Sequence, residues 1–206
     1  MSTQKSDKLL ILDLDETLFH ATRQPLGRPP DFRGGPFHVY KRPHVETFLD
    51  FCFSRFTVAV WTSASPDYAG FMVRHLFSNS APVFVWAADR CTQAFDPDLG
   101  QHYSTKRLKK LCRHGYNLES IIMVDDSPEK LRANYGNLVV VKSYYGAPED
   151  DELVLLQPYL DTLRDVPNVR RIEKRFWRAD TRARLQEVNI DLSSAELNSP
   201  SEADAT

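Results

Sequence analysis

The sequence contains no apolar run approaching the ~20 residues that a transmembrane helix requires. Its opening residues, MSTQKSDK, lack the apolar h-region of a secretory signal. A soluble, intracellular protein is the expectation, with no membrane partner. Cysteine is scarce and unpaired in pattern: Cys52, Cys91 and Cys112 are widely spaced, with no C-x-x-C. That spacing suggests neither a disulfide framework nor a zinc site. A thiolate phosphatase would need an arginine six residues beyond its cysteine, where this chain has Val58, Pro97 and Leu118. Charge of one sign is also missing. With 26 Lys and Arg against 28 Asp and Glu, the formal net charge is -2, which argues against a whole-domain footprint for nucleic acid or membrane. There is no internal repeat and no Walker or dinucleotide glycine motif.

What remains is the composition of a soluble globular chain, 42% hydrophobic and 26% charged over 206 residues, enough for one well-packed domain. Short runs rich in β-branched and aliphatic residues, KLLILDLD, TVAVWT, PVFVW, SIIMVDD and NLVVVKS, alternate with segments of helical period such as PHVETFLDFCFSRF and PDYAGFMVRHLF. The runs are apolar at nearly every position, as strands of a parallel sheet are when helices cover both faces. The spacing therefore predicts an α/β fold with a central, mainly parallel sheet. Two strands end alike, in WTSASPD and VDDSPEK, each predicting a helix N-terminus with Ser65 or Ser127 as N-cap and Pro66 or Pro128 at the first helical position.

RQPLGRPPDFRGGPF reads as a long loop or flap beside the end of the first strand, and DRCTQAFDPDLGQHY as an irregular or hairpin insertion. Neither is large enough for a separate cap domain, so the cleft is expected to be open and suited to a large substrate. DDELVLLQPYLDTL reads as a helix. In NVRRIEKRFWRADTRARLQEV, Val169, Ile172, Phe176, Ala179 and Ala183 follow a helical stripe opposite an Arg/Lys-rich side, which is more often a solvated face than a docking surface. The expected limits are a polar segment at 1–7, a single α/β domain at 8–190 with an insertion near 87–103, and a polar, disordered tail at 191–206.

The chemistry gathers at strand ends. Asp13 and Asp15 close the apolar stretch LLILDLDETLF, and burying carboxylates beside Leu and Ile is costly unless they are paired, solvated or metal-bound. Residues two apart on a strand point to one side, toward the crevice where open α/β sheets bind ligands. A carboxylate is ionised near neutral pH, so Asp13 can attack phosphorus without a helper base, and Asp15 is placed for acid/base work if its pKa is raised. Asp125 and Asp126 end a later strand. Four carboxylates together demand a cation, and all-oxygen ligation suits Mg2+. Helix N-capping is the ordinary alternative for that pair, explaining one acid better than two. Thr62, with the amides of Ser63 and Ala64, could bind phosphate oxygens. Taken alone it is more often a turn hydroxyl. Lys106 could balance the charge, although by composition it reads as one lysine of a wet helix face.

DLDETL, WTSA, a Lys heading the next helical segment and VDDSP, in that order, resemble the four motifs of the haloacid dehalogenase superfamily. More narrowly, the chain is similar to its FCP/SCP branch, the NIF-type phosphatases. YKRPHVETFLDF and DDELVLLQPYLDTLRDV also resemble segments of that branch, so the likeness covers about Lys8 to Val166. His44 stands where the family commonly has Gly. The resemblance implies a Rossmann-like fold without a large cap and a Mg2+-dependent phosphatase. Asp13 would be the nucleophile, Asp15 the general acid/base, and Thr62 and Lys106 the phosphoryl holders, with the Ser63 amide beside them as read above. Magnesium would be bound by Asp13, the Asp15 carbonyl and the pair Asp125 and Asp126, with Asp126 as the direct ligand and Asp125 nearer Lys106. The implied substrate is a phosphoserine or phosphothreonine protein, with no direct nucleic-acid partner. Small phosphate esters, nucleic-acid phosphate ends and a non-catalytic phosphopeptide module remain as alternatives. A receiver-type switch is disfavoured because the D-x-D comes first and the acid pair last.

Overall fold

The computed structural model describes residues 5–77, 80–97 and 100–197. In chain order the elements are β1 (Leu9–Leu12), β2 (Phe19–Thr22), β3 (Phe32–Gly34), β4 (Phe37–Lys41), α1 (Val45–Arg55), β5 (Thr57–Trp61), α2 (Pro66–Leu76), β6 (Val85–Trp86), β7 (Thr92–Asp96), β8 (Gln101–Thr105), α3 (Lys109–Cys112), β9 (Ile121–Asp125), β10 (Leu138–Val140), α4 (Glu152–Leu163) and α5 (Trp177–Leu197). Four 3-10 segments intervene, the longest over Pro128–Asn137.

The five apolar runs become one sheet in the order β10-β9-β1-β5-β6, parallel at every pairing. All four residues of β1 are buried, each contributing about 1.5–3 kcal/mol by leaving water. Alternation along the strands divides the core. Leu10, Leu12, Val58, Val60, Ile122 and Val124 face α1, α2, α4 and Trp177 of α5, whereas Leu9, Ile11, Ala59, Trp61, Ile121 and Met123 face Leu108, Leu111 and Leu131. Both faces are covered, the second by short elements: Leu108 and Leu111 at α3, Leu131 of the Pro128–Asn137 segment, and the partly buried Tyr116 and Leu118. β1 is central, with β5 and β9 on either side, so the chain leaves it in one direction and returns on the other. That reversal opens a crevice at the carboxyl ends of these strands.

The segment expected as a loop or flap is more ordered than that. β2, β4 and β3 form a three-stranded antiparallel sheet, with Gly35 at positive φ in the two-residue turn between Gly34 and Phe37, as a primed hairpin turn needs. Pro29 and Pro30 precede β3, an edge strand, where proline is tolerated. The expected insertion is a hairpin, β7 against β8.

Ser65 caps α2, its side chain accepting from the Tyr68 amide. Ser127 also takes the N-cap position with Pro128 after it, as expected, but the element it opens is a 3-10 segment. Its side chain makes no cap bond, and Asp125 Oδ1 accepts the Ser127 amide instead, which turns the chain into a 3-10 segment rather than an α-helix. Lys106 does not open a helix either. It follows β8, and α3 begins only at Lys109.

The C-terminal stripe is also out of phase. Residues 169–187 are not one helix: a 3-10 turn over Val169–Arg171 ends before α5 starts at Trp177. Val169 and Trp177 are buried, while Ile172 and Phe176 are exposed. The break is fixed by Lys174, whose buried ammonium donates to the carbonyls of Gly136, Val169 and Ile172. Burial lowers its pKa to about 8, so it stays charged at neutral pH. Helix α5 continues through Leu197, past the boundary expected at 191, and residues 198–206 lie outside the described ones.

His44 precedes α1 at φ 65, in the left-handed region, which costs a side-chain-bearing residue energy that glycine avoids. His44→Gly is expected to raise stability by about 1 kcal/mol, read as a higher urea midpoint at unchanged slope. Lys174→Met leaves three carbonyls without their charged donor and is expected to cost about 2–3 kcal/mol in the same measurement.

Candidate active site

The site is assembled from the ends of β1, β5 and β9 and the residue after β8. Asp13 follows β1, and its amide donates to the Val124 carbonyl of β9, which sets its carboxylate beside Asp125. Between the two acids lies Lys106, 1% exposed, with Nζ 2.6 Å from Asp13 Oδ1 and 2.6 Å from Asp125 Oδ2. The wet-face reading of Lys106 is therefore overturned. Its backbone is held by a bond from its amide to the Lys130 carbonyl, and its ammonium is as buried as the sheet core. The two neighbouring carboxylates raise its pKa against the desolvation that would lower it.

Asp125 has both oxygens engaged, Oδ1 by the Ser127 amide and Oδ2 by Lys106. Burial nevertheless pushes its pKa up to about 6, with Lys106 pulling the other way. Asp126 is half-buried and takes two hydroxyl donors, Ser127 Oγ at 3.1 Å and Ser143 Oγ at 2.7 Å. Carboxylate oxygens of Asp13, Asp125 and Asp126 all lie within 4.8 Å of one another. A hard, all-oxygen set of this kind suits Mg2+.

The Asp15 carboxylate stands apart from that trio. Its Oδ1 accepts from the Tyr68 hydroxyl at 2.6 Å. Burial raises the Asp15 pKa to about 6, opposed by that hydrogen bond. The turn carrying it is tightly tied. Glu16 sits at φ 56, its amide donating to the Phe19 carbonyl and its carbonyl accepting from the Tyr144 amide. Arg42 secures the same turn: it is 1% exposed, donates to the Thr17 and Lys142 carbonyls, and forms a two-pronged pair with Asp150 at 2.7 and 2.9 Å.

Thr62 is buried at the end of β5. Its Oγ1 accepts from the Ala64 amide at 3.1 Å, so that amide is already engaged within the turn. Ser63 is half-buried, with the Cys91 thiol 3.9 Å from its hydroxyl. The structure thus draws Asp13, Lys106, Asp125 and Asp126 into one cluster and sets Asp15, Thr62 and Ser63 on loops at neighbouring strand ends. Tyr68, Ser143 and Arg42 were not singled out in the sequence reading, and Ser127 entered it only as a helix cap. Tyr68 carried a signal, since it lies in the first turn of the helix that WTSASP starts. Ser143 and Arg42 carried none, because each reaches its partner across a long sequence separation.

A lysine held between two aspartates, with a third acid in reach, at the switch point of a doubly wound parallel sheet defines a phosphatase of the haloacid dehalogenase class. The chain belongs to the NLI interacting factor-like phosphatases, whose family model matches residues 8–170. It is 31% identical over 190 residues to CTD nuclear envelope phosphatase 1 of Xenopus laevis, covering 84% of this chain and 74% of that one. It is 34% identical over 185 residues to the Drosophila melanogaster homologue, covering 82% and 72%. In fold it is similar to the fission yeast RNA polymerase II CTD phosphatase Fcp1 bound to beryllium fluoride, with a TM-score of 0.52, 16% identity, and coverage of 94% of this chain and 67% of that one.

Lys106→Met leaves Asp13 and Asp125 buried without their counter-charge and is expected to destabilise the fold by about 3–5 kcal/mol. Urea unfolding at neutral pH, compared with a Lys109→Met control at an exposed position of α3, measures it.

Proposed function

We propose that this chain is a Mg2+-dependent phosphomonoester hydrolase that works through an aspartyl-phosphate on Asp13 and acts on phosphoserine or phosphothreonine in proteins. The observation that carries the reading is the Lys106 bridge between Asp13 and Asp125, with Asp126 in ligand reach. Protein substrates are favoured by the relatives, which are named as CTD phosphatases. An intracellular site of action goes with that reading.

Asp13, Asp126 and the Asp15 carbonyl would hold the metal, with Asp125 fixed beside them by Lys106 and the Ser127 amide. Bound Mg2+ would supply positive charge to the phosphoryl oxygens. In the first step a carboxylate oxygen of Asp13 forms a bond to phosphorus as the bond to the seryl or threonyl oxygen breaks, and protonated Asp15 gives its proton to that leaving oxygen. In the second step water attacks phosphorus, Asp15 takes the water's proton, and the bond to Asp13 breaks to release phosphate. A pKa near 6 for Asp15 leaves both of its forms accessible close to neutral pH, as the double role requires. Lys106, Thr62 and Ser63 would steady the phosphoryl group during both steps, the positioning and charge stabilisation on which phosphoryl transfer depends.

The test is phosphate release from p-nitrophenyl phosphate and a phosphoserine/phosphothreonine peptide panel, with Mg2+ or with EDTA. Native chain should turn over only with metal. Asp13→Asn should lose on the order of 10³-fold or more, and 32P-labelled peptide should leave on native chain, after a cold acid quench, a label that hydroxylamine releases, but none on Asp13→Asn. Equal inactivity of both chains alongside phosphopeptide binding would replace this reading with a binding module.

A further inference from the structure

The antiparallel flap sheet faces α2 with a specific row of residues. Gly34 pairs with Phe37 in the β3–β4 register, and the pair Thr22 with His38 in β2–β4 puts Arg23 at the next place opposite Phe37. Successive residues of a strand face opposite sides, so Arg23, Phe37 and Gly34 share one side. Gly34 lies so close to α2 that a Cβ there would stand 2.9 Å from the Phe71 ring. Phe37 meets the Tyr68 ring edge-on, with centroids 6.1 Å apart. The Arg23 guanidinium carbon lies 5.7 Å from the Phe37 centroid. Because the Tyr68 hydroxyl donates to Asp15, a continuous line of contacts leads from Asp15 through two aromatic rings to Arg23.

That line is rigidly mounted. Phe32 of the flap stacks on His75 of α2 at 4.8 Å, a second anchor besides Phe37. Arg28, on the loop between β2 and β3, is committed to Asp31, to the Tyr144 hydroxyl and to the Tyr40 ring, and Arg33, next to Gly34 on β3, faces the opposite side of the sheet. Arg23 is different. It is exposed, and among the described residues only the Phe37 ring engages its guanidinium. A cation seated on an aromatic face keeps its donor fork for an anion.

We infer that Arg23 determines specificity, selecting protein substrates that carry a second anionic side chain, acidic or phosphorylated, near the phosphoresidue. The inference rests on the phosphatase reading above. Two rings separate Arg23 from Asp15, so it is a positioning group for a second anion rather than a partner of the reacting phosphate. At ~3.3 Å per residue of extended peptide, that anion belongs a few residues from the phosphoresidue.

The experiment compares phosphopeptides that are identical except for one flanking position, scanned along both sides and filled with Gln, Glu or phosphoserine. Native chain should show a kcat/KM ratio of anionic over Gln peptide of roughly three- to tenfold, carried by KM and falling with added salt. Arg23→Gln should bring the ratio to about one, Arg23→Lys should keep part of it, and Arg23→Glu should invert it. The Glu and phosphoserine arms distinguish a carboxylate from a phosphate as the preferred anion. Fluorescence anisotropy of the same peptides on Asp13→Asn, with and without Arg23→Gln, ranks them without turnover. A ratio that survives Arg23→Gln, a native chain indifferent to the flanking charge, or an equal loss for all peptides with the ratio kept would each overturn the inference. Failure of the phosphatase reading has another signature, namely no phosphate from any substrate with metal present, and the anisotropy ranking then still decides the role of Arg23.

Discussion

One buried ammonium holds the centre of this molecule together. Two carboxylates at the carboxyl ends of adjacent parallel strands would repel each other in a region of low dielectric, and desolvating each costs several kcal/mol. Lys106 Nζ, 2.6 Å from both, converts that repulsion into two short charge-assisted hydrogen bonds. The arrangement constrains everything around it. β8 must deliver Lys106 to the end of β9, and the Lys130 carbonyl must hold its amide. The cluster is overall negative even so, an arrangement that suits a divalent cation.

Around that centre, each supporting group spans a large sequence distance. Arg42 ties the Thr17 turn to the segment after β10 through Lys142 and Asp150. Glu152 at the start of α4 accepts from the Lys142 amide and is paired with Arg178 of α5. The same loop then carries Ser143 to Asp126. A buried bidentate Arg–Asp pair with its remaining donors on carbonyls is the geometry in which a buried ion pair offsets its own desolvation. The strained left-handed conformation of Glu16 persists because bonds to Phe19 and Tyr144 over-determine it.

The active cleft is asymmetric in consequence. On one side the flap sheet is pinned to α2 by Phe32, Gly34 and Phe37. On the other, Asp126 and Ser143 sit on loops beside Glu16, whose carboxyl is raised by burial and bonded to His20. Within the described residues the insertions near the cleft amount to the flap sheet and the β7–β8 hairpin, and neither forms a lid.

The sequence by itself determined the sheet and the gathering of acids at its strand ends. Unbroken apolar runs ending in acids can be satisfied only by a parallel sheet covered on both faces, with its polar residues at the strand ends; Asp13, Thr62, Asp125 and Asp126 were legible for that reason, and the order of motifs supplied the family. Only the tertiary structure decided what depends on distant partners. Lys106 is chemically the same as Lys109 and Lys110 until folding buries it between two aspartates. Ser127 looks like a helix cap until Asp125 takes its amide. The helical stripe after Val169 is broken because Lys174 finds three carbonyls, one of them on Gly136. Periodicity reports which face a residue takes within one element, whereas a buried charge is placed by partners that folding brings from elsewhere in the chain.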